Sequence, residues 1–152
     1  MMDTPITKKF FKKLELYLEL KRQDKRSKKS KRGGELWKLE KAFLLWAIKG
    51  HWHMGTSLNS QYIKARLKEA EFPDSMTKYS EQVMQNLVFK KFARYYPRGS
   101  DSIQITNEGF LMAEVLEEAS SKIGYVYSII TFFVWLTVIL GFLKVLKEIL
   151  MF

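Results

Sequence analysis

The stretch that decides the fold is "FARYYPRGSDSIQITNEGF", residues 92–110. Phe92 to Tyr96 and Ile103 to Ile105 are rich in aromatic and β-branched residues, and "PRGSDS" between them is made of turn formers. Two such runs around a polar loop predict a β-hairpin. "ITNEG" follows at once, with Thr106 placed to cap a helix. In that helix Leu111, Met112, Val115, Leu116 and Ala119 share one face, while Glu114, Glu117 and Glu118 read as a solvated one.

Toward the N-terminus the apolar spacing predicts three more helices. Leu36, Leu39, Phe43, Trp46 and Ala47 mark the first, over 35–49, with Gly50 able to end it in the left-handed conformation. "HWHMG" reads as a short extended piece. A second helix follows, with cap candidates Thr56, Ser57 and Asn59 and an inward row of Tyr62, Ile63 and Leu67. Pro73 disfavours helix at the residue before it, so Asp74 or Ser75 starts a third helix over about 76–90. Met76, Tyr79, Val83 and Leu87 face inward there, and Lys78, Gln82, Gln85 and Phe89 face outward.

Helix, short strand, helix, helix, hairpin, helix is the order of a winged helix-turn-helix. The segment "VMQNLVFKKFARYYPRGSDSIQITNEGFLMAEVL" resembles the recognition helix, wing and following helix of winged regulators of the MarR and PadR kind. Those families often close the wing with an Ile-Thr or Leu-Thr step, two residues and a Gly, matched here by Ile105, Thr106 and Gly109. The resemblance covers 36–120 and implies a mainly α fold with a small β-hairpin. It also implies duplex DNA as a partner and transcription regulation as a function. The third helix would then lie in the major groove, with Lys78, Gln82 and Gln85 at base edges and Lys90, Arg94 and Arg98 on phosphate. The families' usual Asp-Arg pair in the wing is absent, which leaves Arg98 near the tip. Glu81 on the same helix repels phosphate.

Downstream, Ile123 to Leu143 is an uncharged apolar run bracketed by Lys122 and Lys144. About 20 such residues span the hydrocarbon core of a bilayer. Tyr125 and Tyr127 sit near one boundary, as interfacial aromatics do. The expectation is a single transmembrane helix over 123–143 with a short tail, 144–152, in the manner of a tail anchor. The positive-inside rule places the preceding domain in the cytoplasm, at the cell (inner) membrane. Gly124 with Ser128, and Thr137 with Gly141, offer small-residue spacing for a homodimer in the membrane.

Charge is unevenly spread. Residues 1–34 hold 12 Lys/Arg against 4 Asp/Glu, residues 35–122 hold 12 against 11, and residues 123–152 hold 2 against 1. The basicity therefore belongs to an N-terminal arm. In its first half Ile6, Phe10, Phe11, Leu14, Tyr17 and Leu18 share a helical face, while Leu16 and Leu20 break the pattern. "KRQDKRSKKSKRGG", residues 21–34, has no apolar side chain and is expected to be disordered. Lys21, Arg22, Lys25, Arg26, Lys28, Lys29, Lys31 and Arg32 are the candidate polyanion contacts, to anionic lipid or to nucleic acid.

No catalytic pattern occurs. There is no Cys, and no glycine-rich phosphate loop, nucleophile elbow or H-E-x-x-H is present. His51 and His53 lie two apart but lack further ligands of the kind a metal site needs. No enzyme, metal or cofactor is expected. Two readings remain: a membrane-tethered DNA-binding regulator, and a docking module that recruits a protein partner while its arm lies on lipid.

Overall fold

The computed structural model describes residues 5–49 and 56–151. The chain divides into two compact units, Met1–Glu117 and Glu118–Phe152. The fold is mainly helical with a small three-stranded antiparallel sheet. In chain order the elements are α1 (Pro5–Ser27), α2 (Lys31–Lys49), β1 (Leu58–Asn59), α3 (Ser60–Glu69) and α4 (Asp74–Thr77). Then come α5 (Ser80–Phe89), β2 (Ala93–Tyr95), β3 (Ser102–Ile105), α6 (Asn107–Ala119) and α7 (Lys122–Leu150).

The expected hairpin forms, with Arg94 opposite Gln104 in register, and β3 also pairs with β1, so that the sheet order is β1-β3-β2. Leu58 pairs with Ile103, and both side chains are buried. Asn59 ends β1 and caps α3, its Oδ1 accepting from Tyr62 N at 2.8 Å. The extended piece expected at "HWHMG", with His51 and His53, lies outside the described residues. Leu39, Phe43, Leu44, Ile63, Leu67, Val83, Leu87, Met112 and Val115 fill the core between the helices and the sheet. Tyr62, placed inward by the periodicity, is instead exposed, with the Arg66 guanidinium 5.0 Å from its ring.

The "ITNEG" step has a packing reason. Thr106 N donates to Phe92 O at 3.0 Å and Thr106 Oγ1 donates to Lys91 O at 2.7 Å, while the same hydroxyl oxygen accepts from Gly109 N at 3.2 Å. The first turn of α6 is thereby laid directly on the entry to β2. A Cβ on Gly109 would stand 2.1 Å from Phe92 O, so only glycine allows this approach.

The third helix of the sequence reading is two helices. Tyr79 N bonds to Met76 O at 3.0 Å, a three-residue return that tightens the chain and separates α4 from α5. Thr77 and Ser80 are buried at the break.

The basic tract 21–34 is a correction: it is not a disordered arm. α1 runs to Ser27, and α2 begins at Lys31. Leu16, Tyr17 and Leu20 of α1 are buried, whereas Ile6, Phe10 and Phe11 are exposed. The tract contains no apolar anchor, and its one acid supplies a polar one. Asp24 Oδ1 accepts from Trp37 Nε1 at 2.7 Å and from Lys41 Nζ at 2.9 Å. Ser30 Oγ accepts from Gly33 N at 3.0 Å and caps α2. At the other end of α1, Lys13 and Lys9 lie 2.9 and 3.2 Å from Glu114, and Lys12 lies 3.2 Å from Glu108. That side of α6 is thus paired rather than merely solvated.

Two of the carboxylates in these contacts, Asp24 and Glu114, titrate low. Burial works to raise Asp24, but the hydrogen bonds from Lys41 and Trp37 outweigh it. Burial likewise opposes Glu114, and Lys13 and Lys9 prevail.

In the second unit α7, over Gly124–Leu150, is long and apolar enough to cross a membrane. The helix continues past the expected boundary at Leu143 because "KVLKEIL" is built of helix formers. Its hydroxyls return to its own backbone: Ser128 Oγ to Gly124 O at 3.1 Å, Thr131 Oγ1 to Tyr127 O at 2.8 Å and Thr137 Oγ1 to Phe133 O at 2.8 Å. These hydroxyl donors are thus satisfied within the helix itself.

Two outcomes test this packing. Gly109→Ala should lower stability by at least about 2 kcal/mol, read by thermal melting of the detergent-solubilised chain, because backbone must move to admit the methyl group. The pH dependence has a definite sign. Carboxylates held below their ordinary values add stability that is fully present above those values and lost as pH falls through the depressed ones. The melting midpoint should therefore drop as the medium is acidified below about pH 4. Asp24→Asn with Glu114→Gln should flatten that slope, and an unchanged slope would place the acid-labile contacts elsewhere.

Candidate nucleic-acid interface

The outward face of α5 and the residues just before it carry Lys78, Gln82, Gln85 and Phe89. Lys78 and Gln85 are exposed, while Gln82 is half-buried because a neighbour covers it. That neighbour is Arg32 of α2. Its Nη2 donates to Gln82 Oε1 at 2.9 Å, and its guanidinium stands 5.4 Å from the Tyr79 ring. Lys78 approaches the same ring, at 5.1 Å. A shallow surface depression of about 320 Å³ is lined by Lys78, Tyr79, Glu81, Gln82 and Gln85.

The contact between Arg32 and Gln82 fixes where the basic tract lies. Lys28 and Lys29 sit in the turn between α1 and α2, and Lys31 and Arg32 open α2 with no acid in its first turn. The positive end of the α2 dipole and these cations add in one place, next to the start of α5. All eight candidate polyanion residues are exposed. The charge of the folded unit follows. Residues 1–117 hold 23 Lys/Arg against 14 Asp/Glu, hence +9, instead of the near-neutral value obtained when the arm is left out.

The hairpin supplies the remaining candidates. Arg98 is exposed in the loop between β2 and β3, where Gly99 adopts φ 85° and Ser100 N bonds to Pro97 O at 3.0 Å. Arg94 is exposed on β2, donates to Gln104 Oε1 at 3.3 Å and lies 6.0 Å from the Tyr96 ring. Ser57 Oγ donates to Tyr96 O at 3.1 Å and braces the loop base.

Lys90 departs from expectation. Its ammonium pairs with Glu40 and stands 4.4 Å from the Trp37 ring, with only 17% of its side chain exposed. Glu40 is 1% exposed and also accepts from Asn86 Nδ2 at 2.7 Å. Lys90 is therefore part of a buried polar joint between α2 and α5, not of the exposed array. Glu40 escaped notice in the sequence, although it follows Leu36 by four residues on the inward face of α2 and so announces a buried carboxylate. Arg32 and Asp24 could not be placed from spacing, since their partners lie in other helices.

Among the described residues no group of three or more His, Asp or Glu side chains is placed to hold a metal ion. An open depression of about 460 Å³ lies at the start of α6, lined by Lys91, Arg94, Gln104, Ile105, Thr106, Asn107 and Glu108.

The two kinds of cation separate by experiment. Lys90→Ala leaves the Glu40 carboxylate buried without its ammonium and should cost about 3 kcal/mol of stability. Arg98→Ala should stay within about 0.5 kcal/mol of the parent. Thermal melting of both variants checks the contrast, and equal losses would contradict it.

Comparison of the chain with known protein families, with curated proteins and with solved structures finds no match.

Proposed function

We propose that this chain is a membrane-anchored winged-helix protein that binds duplex DNA and regulates transcription from the bilayer. The observation that carries the reading is the basic turn folded against α5, with Arg32 on Gln82. The arrangement of α2, α3 and α5 with a sheet in the order β1-β3-β2 fits a winged helix-turn-helix of the MarR or PadR kind. In that arrangement α5 enters the major groove, with Lys78, Gln82 and Gln85 toward base edges. Lys28, Lys29, Lys31 and Arg32 meet phosphate beside it, and Arg94 and Arg98 do so from the wing. The activity is binding rather than catalysis.

α7 is the single-pass anchor. Of the cations in the chain, 24 precede residue 123 and 2 follow it, so the positive-inside rule orients the DNA-binding unit to the cytoplasm at the inner membrane. Thr137 and Gly141 allow two anchors to pair, which would present two α5 helices to two half-sites. Nothing stands within 4 Å of a Cβ added at Gly141, whereas at Gly124 such an atom would stand 2.5 Å from Ala119 O. Gly124 is thus occupied within its own chain.

One observation favours the second reading, a docking module for a protein partner. Phe89 is 88% exposed and borders a groove of about 330 Å³ between α1 and α5. An aromatic held in water at such a rim suits a protein anchor.

Selection from a random duplex pool with a soluble fragment, residues 1–122, tests the choice. The regulator reading expects an enriched motif whose preference relaxes in Lys78→Ala with Gln82→Ala. It also expects affinity for all sequences, and its salt dependence, to fall when Lys28, Lys29, Lys31 and Arg32 become Ala. No motif, with only salt-labile retention, would move the function to the docking reading.

A further inference from the structure

α1 has two apolar faces, and the fold uses one. Leu16, Tyr17 and Leu20 are buried in the domain. On the opposite side Phe11, Leu14 and Leu18 follow one another at helical spacing with Phe10 beside them. Phe11 is 55% exposed, Phe10 is 40% exposed, and Leu14 and Leu18 are half-buried. Continued toward the C-terminal end of α1, the same stripe becomes cationic, with Lys21, Arg22 and Lys25 exposed. Glu15 and Glu19 flank it, and each has a cation nearby: Lys12 lies 3.4 Å from Glu15, and Arg22 lies 3.6 Å from Glu19.

We infer that this outer face of α1 rests on an anionic bilayer surface, with Phe10, Phe11, Leu14 and Leu18 in the headgroup region and Lys21, Arg22 and Lys25 on lipid phosphates. A surface helix that is apolar on one flank and cationic beside it has the composition of an interfacial membrane helix. Charge complementarity selects the anionic leaflet. Proximity selects a bilayer over a dissolved partner: α6 ends at Ala119 and α7 begins at Lys122, so only two residues of chain separate α6 from the helix that would span. The inference rests on the membrane-anchor reading and not on DNA binding. It also divides the basic tract. Lys21, Arg22 and Lys25 serve lipid from the body of α1, and Lys28, Lys29, Lys31 and Arg32 serve DNA from the turn.

The test uses the full chain, one copy per nanodisc. Because the chain has no Cys, Thr7→Cys gives a unique attachment point for an environment-sensitive fluorophore at the head of the stripe, and Gln85→Cys gives a control on α5. Discs are made of phosphatidylcholine alone or with phosphatidylglycerol. The expected result is several-fold stronger quenching by acyl-chain-labelled lipid at position 7 in the anionic discs, with no change at position 85. Either Phe11→Ser with Leu18→Ser, or Lys21→Glu with Arg22→Glu and Lys25→Glu, should abolish it. Both sets alter exposed or half-buried residues, and an unchanged circular dichroism spectrum verifies that the domain is intact. An aqueous signal at position 7 in both lipids overturns the inference. So does shielding that arises only with two copies per disc, which would make a second chain the occupant. Failure of the chain to co-purify with discs at all would overturn the anchor reading itself, a result distinguishable from an inserted chain whose α1 stays in water.

Discussion

The Trp37 indole is the joint on which the rest of the folded unit depends. Its N–H donates to Asp24 of α1 at 2.7 Å, and its ring lies 4.4 Å from the Lys90 ammonium at the end of α5. Lys90 in turn pairs with Glu40, one helical turn along α2 from Trp37. Three helices thus meet on one side chain that is 3% exposed. A buried carboxylate with an ammonium and an amide donor is tolerable only when all three are present, so the joint is sensitive to losing any member. Because it joins α1 to α5, it also determines where the basic turn can be.

That placement changes the electrostatic argument. Considered alone, the segment 35–122 is nearly neutral and a poor ligand for a polyanion. Folded with α1 and the turn, the unit carries its positive charge beside α5, where Arg32 touches Gln82. The same hairpin turns the opposite flank of α1 outward, with apolar residues followed by cations. The basic turn beside α5 and the apolar-then-cationic flank of α1 are thus separate surfaces of one helical hairpin.

Much of this was legible in the sequence because it is local. The hairpin, the Thr106 cap, the inward rows Ile63–Leu67 and Val83–Leu87, and the apolar helix α7 all follow from turn chemistry and periodicity within a few residues. The misreadings share one cause. The tract 21–34 looks disordered by composition, yet its order comes from partners in other helices, Trp37 and Lys41 for Asp24 and Gln82 for Arg32. Lys90 looks like a surface lysine until Glu40, fifty residues earlier, is brought against it. The two-residue β1 is too short to announce itself, and the break before α5 depends on burying Thr77 and Ser80. Long-range polar contacts of this kind leave no periodic trace.

Native-state hydrogen exchange on the full chain in nanodiscs tests the central claim most directly, namely that the basic N-terminal segment is part of the folded unit. Amides of residues 16–27 should exchange with protection comparable to those of α2 and α5, and Trp37→Phe should lower the protection of all three together. Exchange of residues 16–27 at the rate of an unfolded chain, with α2 and α5 protected, would contradict it.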